Sequence, residues 1–200
     1  MKLYYSPGDC SLSPHIVALE SGIACEMIRV DLKSHTTQSG DDFYSINPLG
    51  YVPLLVLDNG QTLREGAAII QYLADLAQEK ELIPPAGTFA RYQAQEWLNF
   101  IATEIHKSFA PLFTPTTPEA YKPVARQQLL KRYRWVDRQL KHGFYTMGET
   151  FSVVDAYLFT TVGWAQHAGL DLSEFTHLQA WSQRIASRPQ VQAAMKAEGL

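Results

Sequence analysis

Hydrophobic and polar positions change rhythm once along this chain, near residue 84. Before that point, short apolar runs alternate with helical spacing. Lys2–Tyr5 reads as a strand and Pro7-Gly8-Asp9 as a turn. Ser13-Pro14 opens a helix that Gly22 stops after Ser21. Cys25–Asp31 reads as a second strand, with Ile28 and Val30 alternating with Arg29 and Asp31. Residues 32–48 are polar and turn-rich, with little periodicity. Leu54–Leu57 is a strand beginning at Pro53, because proline lacks an N–H and is tolerated at a strand's first residue. Asn59-Gly60 folds that strand back onto a partner around Thr62-Leu63. A helix follows from about Glu65 to Glu79, with Ala68, Ile69, Tyr72, Leu73 and Leu76 on one face. The order β-α-β-(irregular)-β-β-α predicts a compact α/β unit over residues 1–82 with a mixed sheet.

Pro84-Pro85-Ala86-Gly87 reads as a linker, and residues 88–200 show helical periodicity only. Arg91–Ala110 places Leu98, Ile101, Ala102, Ile105 and Phe109 at core spacing, and Pro111, Pro115 and Pro118 break it. A second helix is expected over about Glu119–His142. A third starts at Ser152-Val153-Val154-Asp155, a capping-box pattern, and runs to Gly169. A fourth spans His177–Ser187, and a short terminal one follows Pro189. The chain thus divides into an α/β domain and an all-α helical-bundle domain of at least four helices.

Composition removes several function classes. Over 200 residues the chain is 46% hydrophobic and 18% charged with net charge -3, which argues against nucleic acid or an anionic membrane as main partner. The apolar runs all fall short of the ~20 residues a membrane span needs, and the N-terminus lacks a signal peptide's long apolar segment. Two cysteines, Cys10 and Cys25, make neither a disulfide framework nor a zinc set, so a reducing cytoplasm is expected. Six scattered histidines form no metal set. The basic run Arg126, Lys131, Arg132, Arg134, Arg138 and Lys141, interleaved with Tyr133 and Trp135, reads as a solvated helix face.

Chemistry concentrates in a few places. Val52-Pro53 leaves a backbone whose N–H and C=O could turn toward an extended peptide, beside a helix that opens at Glu65-Gly66. A helix N-terminus binds carboxylates through its N–H groups, and a glycine there admits a ligand close to the backbone. Glu65 could pair with a ligand ammonium; the plainer reading makes it a helix-start residue. Cys10 lies in a strand-to-helix turn, where helix N–H groups lower a thiol pKa; the plainer reading is a buried apolar side chain. Cys25 reads as a packed core thiol. Asn99, Thr103 and His106, at i, i+4 and i+7 with Glu104 and Lys107 beside them, form a polar stripe that is either solvated or lines a cleft.

Taken together, MKLYYSPGDCSLSPHI, NPLGYVPLLVLDNG, REGAAIIQYL, WLNFIATEIHKSF and FSVVDAYLF resemble the cytosolic glutathione transferases, in particular the bacterial beta class, over essentially the whole chain. The resemblance implies a thioredoxin-like N-terminal domain, a helical C-terminal domain, and a cytoplasmic homodimer with its site between domains. It implies a cis bond at Pro53, glutathione as co-substrate with no other cofactor, and no metal. Glutathione's cysteinyl backbone would pair with Val52. Its γ-glutamyl end would be held at Glu65 and Gly66, with Asn99 contacting that end from the neighbouring subunit. Cys10 and His106 match the residues nearest the sulfur, with Thr103, Glu104 and Lys107 nearby. Two positions depart from the common pattern. Gly66 stands where many members carry serine, and His35 where many carry the lysine that meets the glycyl carboxylate; Lys33 could compensate.

The activity this implies is transfer of glutathione to small hydrophobic electrophiles, with thiol-transferase or peroxidase side chemistry through a Cys10–glutathione mixed disulfide. Cys10 and His106 are the expected catalytic residues, and Tyr5 and Ser11 the hydroxyl alternatives. The rival reading is a noncatalytic glutathione- or hydrophobic-ligand-binding regulatory protein on the same fold.

Overall fold

The computed structural model describes residues 1–200, which form two units, Met1–Ile83 with Arg188–Leu200 and Pro84–Ser187. In the first unit β1 (Lys2–Tyr5), α1 (Leu12–Ser21) and β2 (Glu26–Asp31) form a strand-helix-strand crossover, and β1 and β2 pair in parallel. Gly22 stops α1 in the left-handed conformation, at φ 71°. The stretch over 32–48 holds two elements its sequence does not announce: β3 (Thr36–Thr37) and α2 (Phe43–Ile46). Both are shorter than any periodicity can reveal. β4 (Leu54–Val56) and β5 (Thr62–Arg64) make the expected hairpin, closed by Leu57 N–H to Gln61 O at 2.8 Å. α3 covers Gly66–Leu76, and a 3-10 turn at Gln78–Lys80 completes the predicted span.

The sheet order is β3-β2-β1-β4-β5, with every pair antiparallel except β1–β2. Tyr4, Val30, Phe43, Val52 and Leu54 form a core cluster on one face. Leu3 and Leu55, paired across β1 and β4, point to the other face and are fully buried. Ile16 and Val17 of α1 and Ile69, Ile70 and Leu73 of α3 are equally buried.

The expected boundary of the helical domain needs correction. Its last helix, α9 (Pro189–Glu198), packs on α1 and belongs to the α/β unit. Three contacts fasten it. Glu198 Oε1 lies 2.8 Å from His15 Nδ1, Gly8 N–H donates to Glu198 Oε2 at 2.9 Å, and the Arg188 guanidinium grips Glu20 at 2.7 and 2.9 Å. A helical period alone does not say which unit a helix covers, which is why residues 188–200 read as part of the bundle.

In the second unit, α4 (Phe89–Phe100) starts at Thr88, whose hydroxyl accepts the Arg91 N–H. The expected helix to Ala110 is not uniform. Ile101–His106 is a π turn, Lys107–Phe109 a 3-10 turn, and α5 (Ala110–Phe113) carries Pro111 harmlessly in its first turn. α6 (Lys122–Leu140), α7 (Val153–Gly163) and α8 (Thr176–Ala186) complete the unit around Leu98, Ile105, Leu129, Tyr133, Leu158 and Trp181. α7 ends six residues before the expected Gly169. Its capping carboxylate, Asp155, is a buried hub that accepts from Ser152 N–H and O–H, Thr146 N–H and Trp181 Nε1–H, all at 2.8–2.9 Å. No helix is long and apolar enough to cross a membrane.

Candidate active site

The loop from β1 to α1 is tied to itself before it presents any chemistry. Ser11 Oγ donates to Ser6 O and accepts the Ser6 N–H, both at 3.1 Å, Asp9 Oδ1 accepts the Cys10 N–H at 2.8 Å, and Ser13 Oγ donates to Cys10 O at 2.9 Å. Ser11 is fully buried and its hydroxyl is spent on Ser6, so it is not a ligand-facing alternative. Cys10 itself is buried, and its thiol donates to Val52 O at 3.2 Å. Burial, reinforced by the Asp9 carboxylate, pushes the thiol well above its ordinary pKa. The expectation of a helix-lowered thiolate is corrected here. Cys10 precedes the Ser11 cap of α1, and desolvation outweighs the helix end.

Val52 is the meeting point of the loop and the sheet. Its side chain is in the core, its carbonyl faces Cys10, and the Val52–Pro53 bond is cis. Glu65, exposed, caps α3 at φ 65°, an uncommon conformation for a non-glycine residue, and its carbonyl accepts the N–H groups of Ala68 and Ile69. Its carboxylate accepts from Tyr51 Oη at 2.9 Å, which pushes the Tyr51 phenol upward. Gly66 and Ala67 supply the first N–H groups of α3, which have no carbonyl within the helix to bond. A Cβ at Gly66 would meet Ser13 Oγ at 3.7 Å and Pro53 Cγ at 3.8 Å, ordinary contact distances. Cys10, Val52, Glu65 and Gly66 are therefore gathered in one place by the loop, the hairpin and the start of α3.

His35 is held beside Gly50, two residues before Val52. Its Nδ1 donates to Gly50 O at 3.0 Å and its Nε2 lies 3.2 Å from Tyr44 Oη, with the two rings 4.4 Å apart. Gly50, at φ 67°, must be glycine, since a Cβ would collide with the Tyr44 ring. With Nδ1 donating and Nε2 accepting, the neutral ring is satisfied. A carboxylate ligand would need the ring protonated or Tyr44 turned away.

In the helical unit the sequence stripe is split. Asn99 and Thr103 are exposed on successive turns, and Thr103 Oγ1 donates to Asn99 O at 3.0 Å. Glu104 faces Arg132, accepting from its Nε at 2.7 Å and Nη2 at 2.6 Å. The π turn changes the phase, so that His106 is half-buried and meets Tyr157 Oη through Nδ1 at 2.7 Å. Trp164 packs edge-on at 4.8 Å from the imidazole, and Phe109 and Phe113 stack at 5.7 Å beside that indole. The result is an apolar aromatic wall with one imidazole set in it. No group of three His, Cys, Asp or Glu residues is close enough to hold a metal ion.

Residues 9–76 match the family described as glutathione S-transferase, N-terminal domain, and residues 100–189 match glutathione S-transferase, C-terminal domain. Glutathione S-transferase GstA of Escherichia coli O157:H7 is 48% identical over 200 residues, covering 100% of both chains. The chain belongs to the glutathione S-transferase family. A sphingomonad glutathione S-transferase solved in complex with glutathione superposes with TM-score 0.97 at 42% identity, covering 100% of both chains. A bacterial beta-class glutathione S-transferase of Sphingomonas chungbukensis does so with TM-score 0.96 at 44% identity, again over 100% of both.

Across the two groups described, one in each unit, three residues carry no role in the sequence pattern. Tyr157 lies within the FSVVDAYLF motif, yet only the fold brings its hydroxyl to His106. Tyr51 adjoins Val52, but its bond to Glu65 spans the hairpin. Trp164 had no local signal. Phe109 and Phe113, four residues apart on one helical face, could have marked the aromatic wall.

Proposed function

We propose that this transferase conjugates reduced glutathione to small hydrophobic electrophiles, as a homodimer in the cytoplasm. What carries the reading is the juxtaposition of the Val52 backbone, the Cys10 thiol and the amides opening α3, in a chain 42% identical to an enzyme solved with glutathione. Val52 would pair with the cysteinyl backbone, displacing the Cys10 thiol from its carbonyl. Glu65 would take the γ-glutamyl ammonium, and the amides of Gly66 and Ala67 its carboxylate. Asn99 would reach that end from the partner subunit. His35 would meet the glycyl carboxylate only by giving up its Tyr44 contact.

Conjugation needs a glutathione thiolate. Its sulfur attacks the electrophilic carbon, the leaving group departs with the bonding pair, and the thiol proton goes to solvent. Cys10 stays a thiol, and as a donor it can hydrogen-bond that sulfur without repelling it. His106, held by Tyr157, would stabilise the anion, with Thr103 and Lys107 on the same segment; Glu104 acts by holding Arg132. The mixed-disulfide side activity requires Cys10 to lose its proton and attack glutathione disulfide, expelling one reduced glutathione, and burial keeps that slow at neutral pH.

The test is retention on immobilised glutathione followed by turnover of 1-chloro-2,4-dinitrobenzene. Retention with saturable turnover supports the assignment. Retention with no turnover of any electrophile would move the protein to the binding-protein reading.

A further inference from the structure

Tyr157 and His106 meet within the helical unit across 51 residues of sequence, one on α7 and the other closing the π turn Ile101–His106. His106 Nδ1 lies 2.7 Å from Tyr157 Oη, at the short end of the hydrogen-bonding range. The imidazole stands nearly edge-on to two rings, at 83° to Tyr157 and 73° to Trp164. Phe109 and Phe113 pack in turn against that indole, at 5.5 and 6.3 Å. Tyr157 is 4% exposed and His106 half-buried, so the Nδ1 edge of the ring is the inner one and Nε2 lies on the opposite edge. The tyrosine has a firm mount. Ser152 and Asp155 cap the start of α7, and Trp181 bonds the same carboxylate. A hydrogen bond together with flanking rings fixes both the place and the tilt of an imidazole.

Where the shared proton sits decides what the other nitrogen can do. In a neutral imidazole one nitrogen donates and the other accepts. Between a phenol and that ring the favoured bond is O–H···N, since the phenol is the readier donor and the ring nitrogen the more basic acceptor. We propose that Tyr157 is a positioning residue for conjugation: its hydroxyl donates to His106 Nδ1 and thereby confines the ring proton to Nε2. The inference rests on the reading that His106 stabilises the glutathione anion, and it states the means. An Nε2–H group donates to the sulfur anion more strongly than to the neutral thiol, and the low dielectric of the aromatic wall strengthens that bond. No proton passes to the ring; the thiol proton goes to water. With the tautomer reversed, Nε2 would turn a lone pair toward the anion and oppose its formation.

The first arm of the test needs no substrate. In full-length protein labelled with nitrogen-15 histidine, long-range proton–nitrogen spectra at mildly alkaline pH report which ring nitrogen carries the proton. The His106 signals are assigned by their loss in His106→Ala. The expected pattern is a protonated Nε2 and a bare Nδ1, with the Nδ1 resonance displaced in Tyr157→Phe because its donor is gone. The second arm is a double-mutant cycle with glutathione and 1-chloro-2,4-dinitrobenzene. Tyr157→Phe should lower kcat/KM about tenfold and reduce the ultraviolet thiolate absorbance of the glutathione complex. Made on His106→Ala, the same change should have no further effect on either quantity, because Tyr157 acts only through the imidazole. A proton on Nδ1 of the resting protein, or an equal loss in both backgrounds, overturns this proposal and leaves the conjugation reading standing. Absence of turnover in the wild type overturns both together.

Discussion

Where Cys10 Sγ reaches Val52 O, a single hydrogen bond links the residue expected to react with the backbone expected to dock the ligand. Because burial raises this thiol, the thiolate fraction at neutral pH is far below that of an exposed cysteine. Cys25 is shifted the same way by its own burial. Iodoacetamide should therefore alkylate the native protein slowly at pH 7.5, with the rate climbing only above the ordinary thiol range. The linkage has a definite sign. The folded state holds the Cys10 proton more tightly than the unfolded one, so its contribution to stability is complete below the ordinary thiol pKa and lost as pH rises past it. Fast alkylation at pH 7.5 would sink this account of Cys10. Gly66 supports a second prediction. A serine Cβ fits at ordinary contact distance, and its hydroxyl would restore the missing donor to a ligand carboxylate. Gly66→Ser should lower KM for glutathione by about 2- to 10-fold with the melting temperature not reduced. A raised KM would show that the γ-glutamyl carboxylate sits elsewhere.

Among the elements, α7 and α9 depend on single buried carboxylates. Asp155→Ala would leave the donors of Ser152, Thr146 and Trp181 without an acceptor, so a loss of about 3 kcal/mol is expected from urea unfolding at neutral pH. Glu198→Ala removes the carboxylate that accepts the Gly8 N–H and meets His15 Nδ1, at a cost of about 2 kcal/mol, and should also quicken Cys10 alkylation because Glu198 ties that loop to α9. The two carboxylates differ in how well the sequence disclosed them. Ser152 and Asp155 are three residues apart, so their cap is a local pattern. Glu198 and His15 are 183 residues apart, and no periodicity relates them. The same contrast governs the site. The Val52-Pro53 turn, the Gly66 helix start and the β4–β5 hairpin were legible because each follows from neighbouring residues. The π turn was not, since Ile101–His106 carries ordinary helix formers and its wider turn depends on packing. Nor was the high Cys10 pKa, which is set by burial that the polar neighbours Asp9 and Ser11 concealed.

For the molecule as a whole, the net charge of -3 hides an asymmetry. The α/β unit carries 7 Lys and Arg against 12 Asp and Glu, a net -5, and the helical unit 10 against 8, a net +2. Anionic ligands thus meet their favourable field on the helical unit. The proposed homodimer should give a particle of about 45 kDa by light scattering, twice the 22.5 kDa chain. A particle of one chain's mass would remove Asn99 from the glutathione site, since its assigned contact is made across subunits.

The return of the chain at Arg188 has a consequence for how the protein is made. Residues 84–187 are, in order of synthesis, an insertion into a unit whose closing helix, α9, is made after the helical unit. A nascent chain stalled before α9 can complete its helical unit, while α1 still lacks its cover and Gly8 its Glu198 acceptor. The Cys10 loop is therefore fastened only once α9 has been made, after residues 84–187 have already been synthesised.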